Sequence, residues 1–364
     1  MHFRYEEKNY SIERYPSSDN KSLRAWSAAD EYLLKYLKEN NVSYTKPIIY
    51  NDRFGFLSTI LSKQQPNIII NYKSQEKSLE INLKKHGIDL NTISKKRPLE
   101  KLETPFDLVL IKIPKSLDLF RFQLNQFHES LHEDSLVLCA FMTKYFSAQI
   151  LKIAEDFFEL CEQSVAWKKA RLLFLKKKRK VKKKELINSI CYSTTKEFKQ
   201  YLGVFSAKKI DQATLLLIQH LDVRLRHNKI LDLACGNGIL AHAALANKPD
   251  AEIHLLDDSE LAIASSKINI NSEKANFHYN DTLDYFENNT FDLIISNPPF
   301  HFEYETNIEV ALNLFKEVKR CLKKGGSFQL VTSNHLNLKT HLNKLFHKVN
   351  IIAQNKKFVV YHCA

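Results

Sequence analysis

The chain has 364 residues, 44% of them hydrophobic, which is enough for two domains with sizeable cores. No apolar run approaches the roughly 20 residues that cross a bilayer, the N-terminus has no hydrophobic signal segment, and the six cysteines form no CxxC pair or ligand set with histidines. These features exclude a membrane protein, a disulfide-stabilised domain and a zinc site, so we expect a cytoplasmic protein without a metal. The net charge of +13 favours a polyanionic partner.

Three segments of the first half correspond to segments of the second half in the same order. Most of the pairs are offset by 185 positions: 46–61 with 228–245, 67–88 with 252–270, and 106–116 with 291–301. Each trio reads as three strands with helical patterns between them, which is typical of parallel βαβ units. We therefore predict an α/β fold of two tandem Rossmann-like domains, 1–185 and 186–364, related by internal duplication.

The two copies differ where the predicted strands end. The second copy reads CGNG at 235–238 and NPPF at 297–300, whereas the first reads RFG at 53–55 and KIPK at 112–115. The first domain is therefore predicted to be degenerate: it keeps the fold and has lost the chemistry.

A dense basic run separates the two halves. Residues 168–185 read KKARLLFLKKKRKVKKKE, and every position from 176 to 184 is basic except Val181. Such a run is either a solvated, flexible segment or a strap that contacts RNA. The domain boundary is expected here or just after, at 185–195.

A glycine turn is the first ligand-binding feature of the second half. The segment GVFS at 203–206, which could form a lid, precedes a helical pattern at 211–221, and an apolar strand then runs into the turn within 230–240, ILDLACGNGIL. Gly236 and Gly238 allow a sharp turn and a close approach of the backbone to a ligand. Asp232 would not bind an anionic pyrophosphate, but it can accept a hydrogen bond from the cationic end of an amino acid.

Acidic residues follow the next two predicted strands. The first strand ends in HLLDD at 254–258, about 20 residues after the glycines, where open α/β sheets place the acid that binds a ribose diol. Asp257 is the first choice for this role and Asp258 the alternative, the other acid being a helix N-terminal charge. Asn280 and Asp281 either grip an adenine amine or form a turn.

The sequence SNPPF at 296–300 follows the apolar run FDLII, which is predicted to be a buried strand. The prolines stop the strand and hold Asn297 extended. The Asn297 side-chain oxygen and the neighbouring carbonyl of Pro298 would then be two acceptors for an exocyclic NH₂ group, with Phe300 stacked on the ring that carries it. A structural turn is the alternative, because Asn-Pro often opens turns.

These motifs resemble the S-adenosylmethionine-dependent methyltransferases that act on exocyclic amines. More narrowly, the tandem halves, GVFS, SNPPFH and the ending KKFVV at 356–360 are similar to the ribosomal RNA guanine-N2 methyltransferases known as the RsmC and RlmG family, and KKAR at 168–171 is closer to the large-subunit, RlmG type. One residue departs from the pattern. Ala234 stands where these proteins usually carry glycine, and its methyl group is expected to crowd the ligand slightly.

The resemblance implies methylation of the N2 amine of a guanine in ribosomal RNA, of the 23S type, with S-adenosylmethionine as the cofactor. It implies donor contacts around the glycine turn, from Phe205, Ser206, Asp232, Ala234, Gly236, Gly238, Asp257, Asp281 and Asn297. It implies substrate contacts from Asn297, Pro298 and Phe300, with His301 as a further contact or a base. The first domain and the basic run would hold the RNA, and the duplication would let the protein act as a monomer.

The resemblance also implies that the second domain is a mostly parallel seven-stranded sheet with an antiparallel hairpin at its edge. The hairpin strands are expected near 349–352 and 358–361, with the turn at 354–356.

Several other functions are compatible with parts of this pattern. Within the same chemistry they are methylation of a guanine in 16S rRNA, of adenine in DNA and of glutamine in a protein. The last two classes more often have Tyr after Asn-Pro-Pro, where this chain has Phe300. Outside enzymes the alternative is an RNA-binding assembly factor. A NAD-dependent oxidoreductase is disfavoured, because the GxGxxG pattern is incomplete.

Overall fold

The chain divides into two compact units, Met1–Leu186 and Ile187–Ala364, in this computed structural model. The structure describes every residue except 1, 19, 21, 103–104, 182–184, 195, 207–208, 299–300, 303–304 and 307, and of 301–302, 305–306 and 308–309 it describes the backbone alone. No helix in the described part of the chain is long and apolar enough to cross a membrane.

The first unit is a seven-stranded sheet between two helical layers, preceded by a short hairpin of β1 and β2. Its elements are β1 (Phe3–Tyr5), β2 (Lys8–Tyr10), α1 (Ala28–Glu39), β3 (Pro47–Tyr50), α2 (Phe56–Ile60), β4 (Asn67–Ile69), α3 (Lys73–Lys85), β5 (Ser94–Lys96), β6 (Phe106–Lys112), α4 (Leu117–His128), β7 (Leu131–Met142), α5 (Ala148–Glu155), β8 (Phe158–Gln163) and β9 (Ala170–Lys178). The strand order in the sheet is β5-β4-β3-β6-β7-β9-β8, and β9 runs antiparallel to both of its neighbours.

The second unit repeats this architecture. Its elements are β10 (Ile187–Cys191), β11 (Glu197–Tyr201), α6 (Gln212–Gln219), β12 (Lys229–Leu233), α7 (Ile239–Asn247), β13 (Glu252–Asp257), α8 (Glu260–Asn269), β14 (Ala275–Tyr279), β15 (Phe291–Ser296), β16 (His301–Phe302), β17 (Glu305–Thr306), α9 (Ile308–Cys321), β18 (Leu322–Ser333), α10 (Lys339–Leu342), β19 (Val349–Gln354) and β20 (Phe358–Cys363). The strand order is β14-β13-β12-β15-β18-β20-β19, while β10–β11 and β16–β17 form separate hairpins.

The central strands of the second sheet are apolar because both of their faces are covered. In β15, Leu293 and Ile295 pack with helices α6, α7 and α8, whereas Ile294 packs with α9 and α10, and all three side chains are fully buried. A strand buried on both faces reads as a continuous apolar run rather than as an alternating one. This explains why FDLII was recognisable in the sequence.

The pairing registers of the two sheets identify equivalent residues. Asp232 on β12 lies opposite Ile295 on β15, and Ile49 on β3 lies opposite Leu110 on β6. By the same reasoning Ile70 stands at the place of Asp257, so the predicted alignment of 67–88 with 252–270 is off by two positions. The first unit thus has apolar side chains where the second has its two strand-end acids.

The predicted fold is confirmed, with differences at the ends of elements. The antiparallel hairpin at the edge is formed by β19 and β20, but Gln354 still belongs to β19, so the turn begins one residue later than expected. Helix α6 is shorter than the predicted 211–221, and Asp211 is its N-cap.

The sequence allowed the basic run to be either a solvated, flexible segment or a strap that contacts RNA. The structure shows that the first part of the run belongs to a strand. Lys176 and Lys178 belong to β9, where Lys176 pairs with Glu162 at 3.0 Å and Lys178 Nζ donates to the Leu131 carbonyl at 3.0 Å. These lysines lie in a strand because β9 continues as far as Lys178 in order to pair with the whole of β8. Residues 182–184 of the run lie outside the described residues.

Candidate active site

The site lies at the carboxyl edge of the second sheet, where β12, β13 and β15 end side by side. Parallel strands place their carboxyl ends at one edge, which is where open α/β sheets bind their ligands. Asp232 lies near the end of β12, Asp257 ends β13 and Asn297 follows β15. Because β12 pairs with both of the other strands, the fold brings these three predicted residues together.

Asp232 is fully buried, and its two carboxylate oxygens differ in their hydrogen bonds. Oδ2 accepts a hydrogen bond from the Ala241 N–H at 2.9 Å, whereas Oδ1 has no hydrogen-bond partner among the described residues. Burial, reinforced by the charge of Asp257, raises the pKa of Asp232 to about 8, although the Ala241 N–H acts to lower it. A buried acceptor without a donor is unfavourable in the ligand-free protein.

The turn after β12 departs from ordinary backbone geometry at three residues. Ala234, Gly236 and Gly238 have φ values of 59°, 55° and 83°. Backbone geometry therefore explains why related proteins usually have glycine at the position of Ala234, since a residue with a side chain costs about 1 kcal/mol or more in this left-handed region. The structure thus shows backbone strain at Ala234, and the crowding of a ligand by its methyl group stays a prediction.

The two glycines have different surroundings. Among the described residues no atom would lie within 4 Å of a Cβ at Gly236, whereas a Cβ at Gly238 would lie 3.0 Å from Ile270 and 3.3 Å from Leu255. The first unit keeps a glycine at the equivalent of Gly238, namely Gly55, where a Cβ would lie 2.9 Å from Leu79. Gly238 thus serves the packing of α7 against α8, whereas the space beside Gly236 is open.

This difference predicts distinct effects for two alanine variants. Gly238→Ala is expected to lower the melting temperature strongly, because overpacking by about 1–3 kcal/mol adds to the strain of positive φ. Gly236→Ala is expected to unfold at a temperature closer to wild type but to bind S-adenosylmethionine at least about tenfold more weakly. Thermal unfolding and calorimetric titration of the two variants would measure this. Equal losses of stability would contradict the assignment.

Asp257 joins the glycine turn to the next helix. Its Oδ2 accepts from the Gly236 N–H at 2.9 Å and its Oδ1 from the Ser259 N–H at 2.8 Å, while Ser259 caps α8. Burial raises the pKa of Asp257, against these two N–H groups. Asp257, the first choice of the two candidate acids, therefore contacts the glycine turn. Asp281 follows β14, and its N–H donates to Asn280 Oδ1 at 3.0 Å.

The segment 203–206 lies close to the glycine turn because of a residue that the sequence analysis missed. Gln200 is fully buried, its Nε2 donates to the carbonyls of Val204 and Phe205 at 3.1 and 3.2 Å, and its Oε1 accepts from Asn237 Nδ2 at 2.8 Å. The Phe205 side chain is 69% exposed, so it is not part of the core. Ser206 Oγ donates to the Lys209 carbonyl.

Asn297 is held by two residues of α6 that the sequence did not single out. Its Nδ2 donates to Asp211 Oδ2 at 3.2 Å and to Thr214 Oγ1 at 2.9 Å. Because a carboxylate only accepts, the NH₂ group must face Asp211. In the described part of the chain these are the hydrogen bonds of the amide, so Oδ1 is the atom left to accept from a substrate. No sequence signal pointed to these contacts, which join residues more than 80 positions apart.

The remaining predicted residues are only partly described. Pro298 is buried directly after Asn297, Phe300 lies outside the described residues, and His301 is described by its backbone alone, in β16. Their roles therefore stay predictions. Cys235 is buried, and burial raises the pKa of its thiol well above the ordinary value, so it packs rather than reacts. Among the described residues, no group of three His, Cys, Asp or Glu could hold a metal ion.

Comparisons with known proteins agree with this architecture. Residues 1–179 match the family model of the RLMG N-terminal domain, and residues 195–362 match that of the methyltransferase small domain. Among solved structures, the chain resembles the 16S rRNA N2 methyltransferase RsmC from T. thermophilus, solved in complex with AdoMet and guanosine. The TM-score is 0.77 at 19% identity, over 100% of this chain and 97% of that chain, which shows the shared two-domain fold.

Curated relatives match over nearly the whole chain. The proteins called ribosomal RNA large subunit methyltransferase G from Pseudoalteromonas translucida and Colwellia psychrerythraea are each 32% identical, over 97% of this chain and 95% and 96% of their own lengths. The protein of that name from Streptomyces coelicolor is 30% identical over 96% of both chains. This chain therefore belongs to the family of ribosomal RNA large subunit methyltransferase G.

Proposed function

We propose that this protein is an S-adenosylmethionine-dependent methyltransferase that modifies the exocyclic N2 amine of a guanine in large-subunit ribosomal RNA. The observation that carries this function is Asn297, whose amide is oriented by Asp211 and Thr214 beside the strand that carries the buried carboxylate of Asp232. The names of the full-length relatives support ribosomal RNA of the large subunit as the substrate. Because these relatives are named for the large subunit, we prefer its RNA as the substrate to 16S ribosomal RNA, DNA or a protein.

The residues of the glycine turn fit the methyl donor. Asp232 offers an unpartnered buried oxygen to the ammonium of the amino acid end. Asp257 offers its carboxylate to the ribose diol, and Gly236 leaves room for the ligand beside it. Phe205, Ser206, Ala234 and Asp281 are proposed to complete this site. When bound, S-adenosylmethionine supplies a methyl group made electrophilic by its sulfonium sulfur.

Asn297 and Pro298 are proposed to hold the substrate amine in the orientation that the reaction needs. Asn297 Oδ1 accepts one N–H of the guanine amine and the Pro298 carbonyl the other, which directs the nitrogen lone pair towards the donor site. Holding a reacting group in this way can account for several kcal/mol of the barrier. The target base must leave its stack to reach the site, and Phe300 is proposed to stack on it and offset part of that cost. His301 is a further proposed contact.

The first unit is proposed to recognise RNA rather than to catalyse. It has the same strand order, but Ile49 and Ile70 replace the two acids of the donor site. At the place of Asn297 it has Lys112, whose Nζ pairs with Asp30 at 3.0 Å. With two such domains in one chain, we expect the protein to act as a monomer, in the cytoplasm where ribosomal RNA is made.

Transfer of a labelled methyl group to RNA tests this function. Deproteinised ribosomal RNA from cells that lack the protein is incubated with labelled S-adenosylmethionine, and the nucleosides are then separated. We expect label in N2-methylguanosine of large-subunit RNA only. RNA from cells that contain the protein is the control and is expected to accept no label, since its target is already modified. Binding of the donor without transfer to any RNA would contradict the proposal.

A further inference from the structure

A cleft lies at the carboxyl edge of the second sheet, beyond the residues of the donor site. It has a volume of about 590 Å³ and is lined by Ser333, Asn334, His335, Lys356, Lys357 and Phe358. We name His335, Lys356 and Lys357, which are all exposed, the basic corner. None of the described residues that line the cleft is acidic. In the described part of the chain neither lysine forms an ion pair, so both are available to an anion.

The backbone of the basic corner is fixed by hydrogen bonds. The Asn334 N–H donates to the Lys357 carbonyl at 2.9 Å, and Asn334 Nδ2 donates to the Asn355 carbonyl at 2.7 Å. Asn355 Oδ1 in turn accepts from the N–H groups of Lys357 and Phe358 at 2.9 and 2.8 Å. The N–H groups of Asn334, Lys357 and Phe358 are therefore already used and do not face an anion as free donors.

The basic corner is close to the residue that is proposed to hold the target amine. Ser296 pairs with Leu330 on β18, and Leu330 pairs with Tyr361 on β20. Two strand spacings of about 4.8 Å thus separate β15 from β20, or roughly 10 Å. The corner also lies about three residues further along the strands than Asn297, since the Asn334 N–H donates to the Lys357 carbonyl, and this adds roughly 10 Å at about 3.3 Å per residue. The combined separation of roughly 14 Å is the length of about four stacked nucleotides at about 3.4 Å each, so phosphates a few nucleotides from a base held at Asn297 can reach the corner.

The first unit repeats this feature, although it has lost the donor site. Ser333 pairs with Phe358, and its equivalent Met142 pairs with Ala170, so Lys356 and Lys357 correspond to Lys168 and Lys169. The anchoring bond is also repeated, since the Thr143 N–H donates to the Lys169 carbonyl at 2.9 Å. The equivalent of His335 is Lys144, another basic residue.

Backbone geometry does not explain why the corresponding turns of both units contain two consecutive lysines. Lys168 and Lys169 have φ values of 47° and 62°, in a region where turns favour Asn and Gly. Lys356 and Lys357 do not have positive φ, and their turn is built differently. The lysines are therefore present in two different turn geometries. One of the four, Lys168, forms an ion pair with Glu31 at 2.9 Å.

We propose that the basic corner binds phosphate groups of the RNA strand next to the target guanine. The proposal rests on the proposed function, because it takes RNA as the substrate, and it adds a place where the catalytic unit itself touches the backbone of the RNA. Lysine and histidine side chains in an acid-free cleft suit phosphodiesters, which are anionic whatever the base sequence.

The double variant Lys356→Gln/Lys357→Gln tests the basic corner. A second double variant, Lys324→Gln/Lys348→Gln, is the control, because it removes two exposed lysines from the opposite end of the same strands. Binding of a fluorescein-labelled single-stranded RNA is measured over a series of KCl concentrations. We expect the slope of log affinity against log salt to become shallower by about 0.7 for each phosphate that the corner variant no longer neutralises, and to stay at the wild-type value in the control.

Methyl transfer gives a second measurement. The corner variant is expected to have a KM for ribosomal RNA about tenfold higher, with an unchanged affinity for S-adenosylmethionine, which also shows that the site is folded. A salt slope and a KM equal to those of the control would overturn the proposal. If the wild-type protein transferred no methyl group to RNA, the proposed function would fail, whereas the salt slopes would still decide the role of the corner.

Discussion

Replacing Asn297 by alanine is expected to lower kcat for methyl transfer at least about 100-fold. The Asn297 amide is fixed by Asp211 and Thr214, so its oxygen can orient a substrate amine without searching for a conformation. The affinity for S-adenosylmethionine is expected to change much less, because the acids that are proposed to bind the donor are on other strands. Single-turnover methylation of ribosomal RNA and calorimetric titration of the donor separate the two effects.

Two further variants make this test specific. Thr214→Val removes one of the two anchors of Asn297 at similar volume, and we expect a loss in kcat of about tenfold, with KM for the RNA and donor affinity nearly unchanged. Lys112→Met changes the equivalent strand end of the first unit, where Lys112 pairs with Asp30, and should leave kcat as it is. If Thr214→Val had full activity, Asn297 would not depend on α6 for its orientation.

Replacing Asp232 by asparagine is expected to make the ligand-free protein more stable and to remove most of its affinity for S-adenosylmethionine. The folded protein holds a buried carboxyl group with a pKa of about 8, whereas the ordinary value is 3.8. Each unit of such a shift corresponds to about 1.4 kcal/mol. The asparagine variant avoids this cost, so its melting temperature should rise by clearly more than the 2–4 °C that about 1 kcal/mol represents. The variant cannot form a charge-assisted hydrogen bond to the donor, and its dissociation constant should rise about 10- to 100-fold.

The dependence of these effects on pH has a definite sign. Because the folded-state pKa of Asp232 is raised, the folded protein retains a proton that the unfolded chain releases, and wild type loses stability as the pH rises from the ordinary value of 3.8 to about 8. The difference in melting temperature between Asp232→Asn and wild type should grow over this range and stay constant above it. Donor binding to wild type should strengthen towards pH 8 and not in the variant. Melting curves that differ equally at all pH values would contradict the role of the buried charge.

Local patterns in the sequence were enough to predict the strands and most of the strand-end residues. Apolar runs such as FDLII identify strands buried on both faces, and Asp232, Asp257 and Asn297 each follow such a run. Since strand ends meet at one edge of a parallel sheet, their meeting could also be inferred. The antiparallel hairpin at the edge was expected from the resemblance to the methyltransferase family, and its turn begins one residue later than expected.

The chain by itself therefore determined the duplicated α/β fold and the acids and amide of its second half, because these depend on periodicity and on residues a few positions apart. The tertiary structure decided what holds them. The contacts of Asn297 with Asp211 and Thr214, and of Gln200 with Asn237, join side chains distant in sequence and exist only once the helices pack on the sheet. The separate roles of Gly236 and Gly238 follow from their neighbours in space. Likewise, the basic corner forms because strand pairing brings His335 beside Lys356 and Lys357.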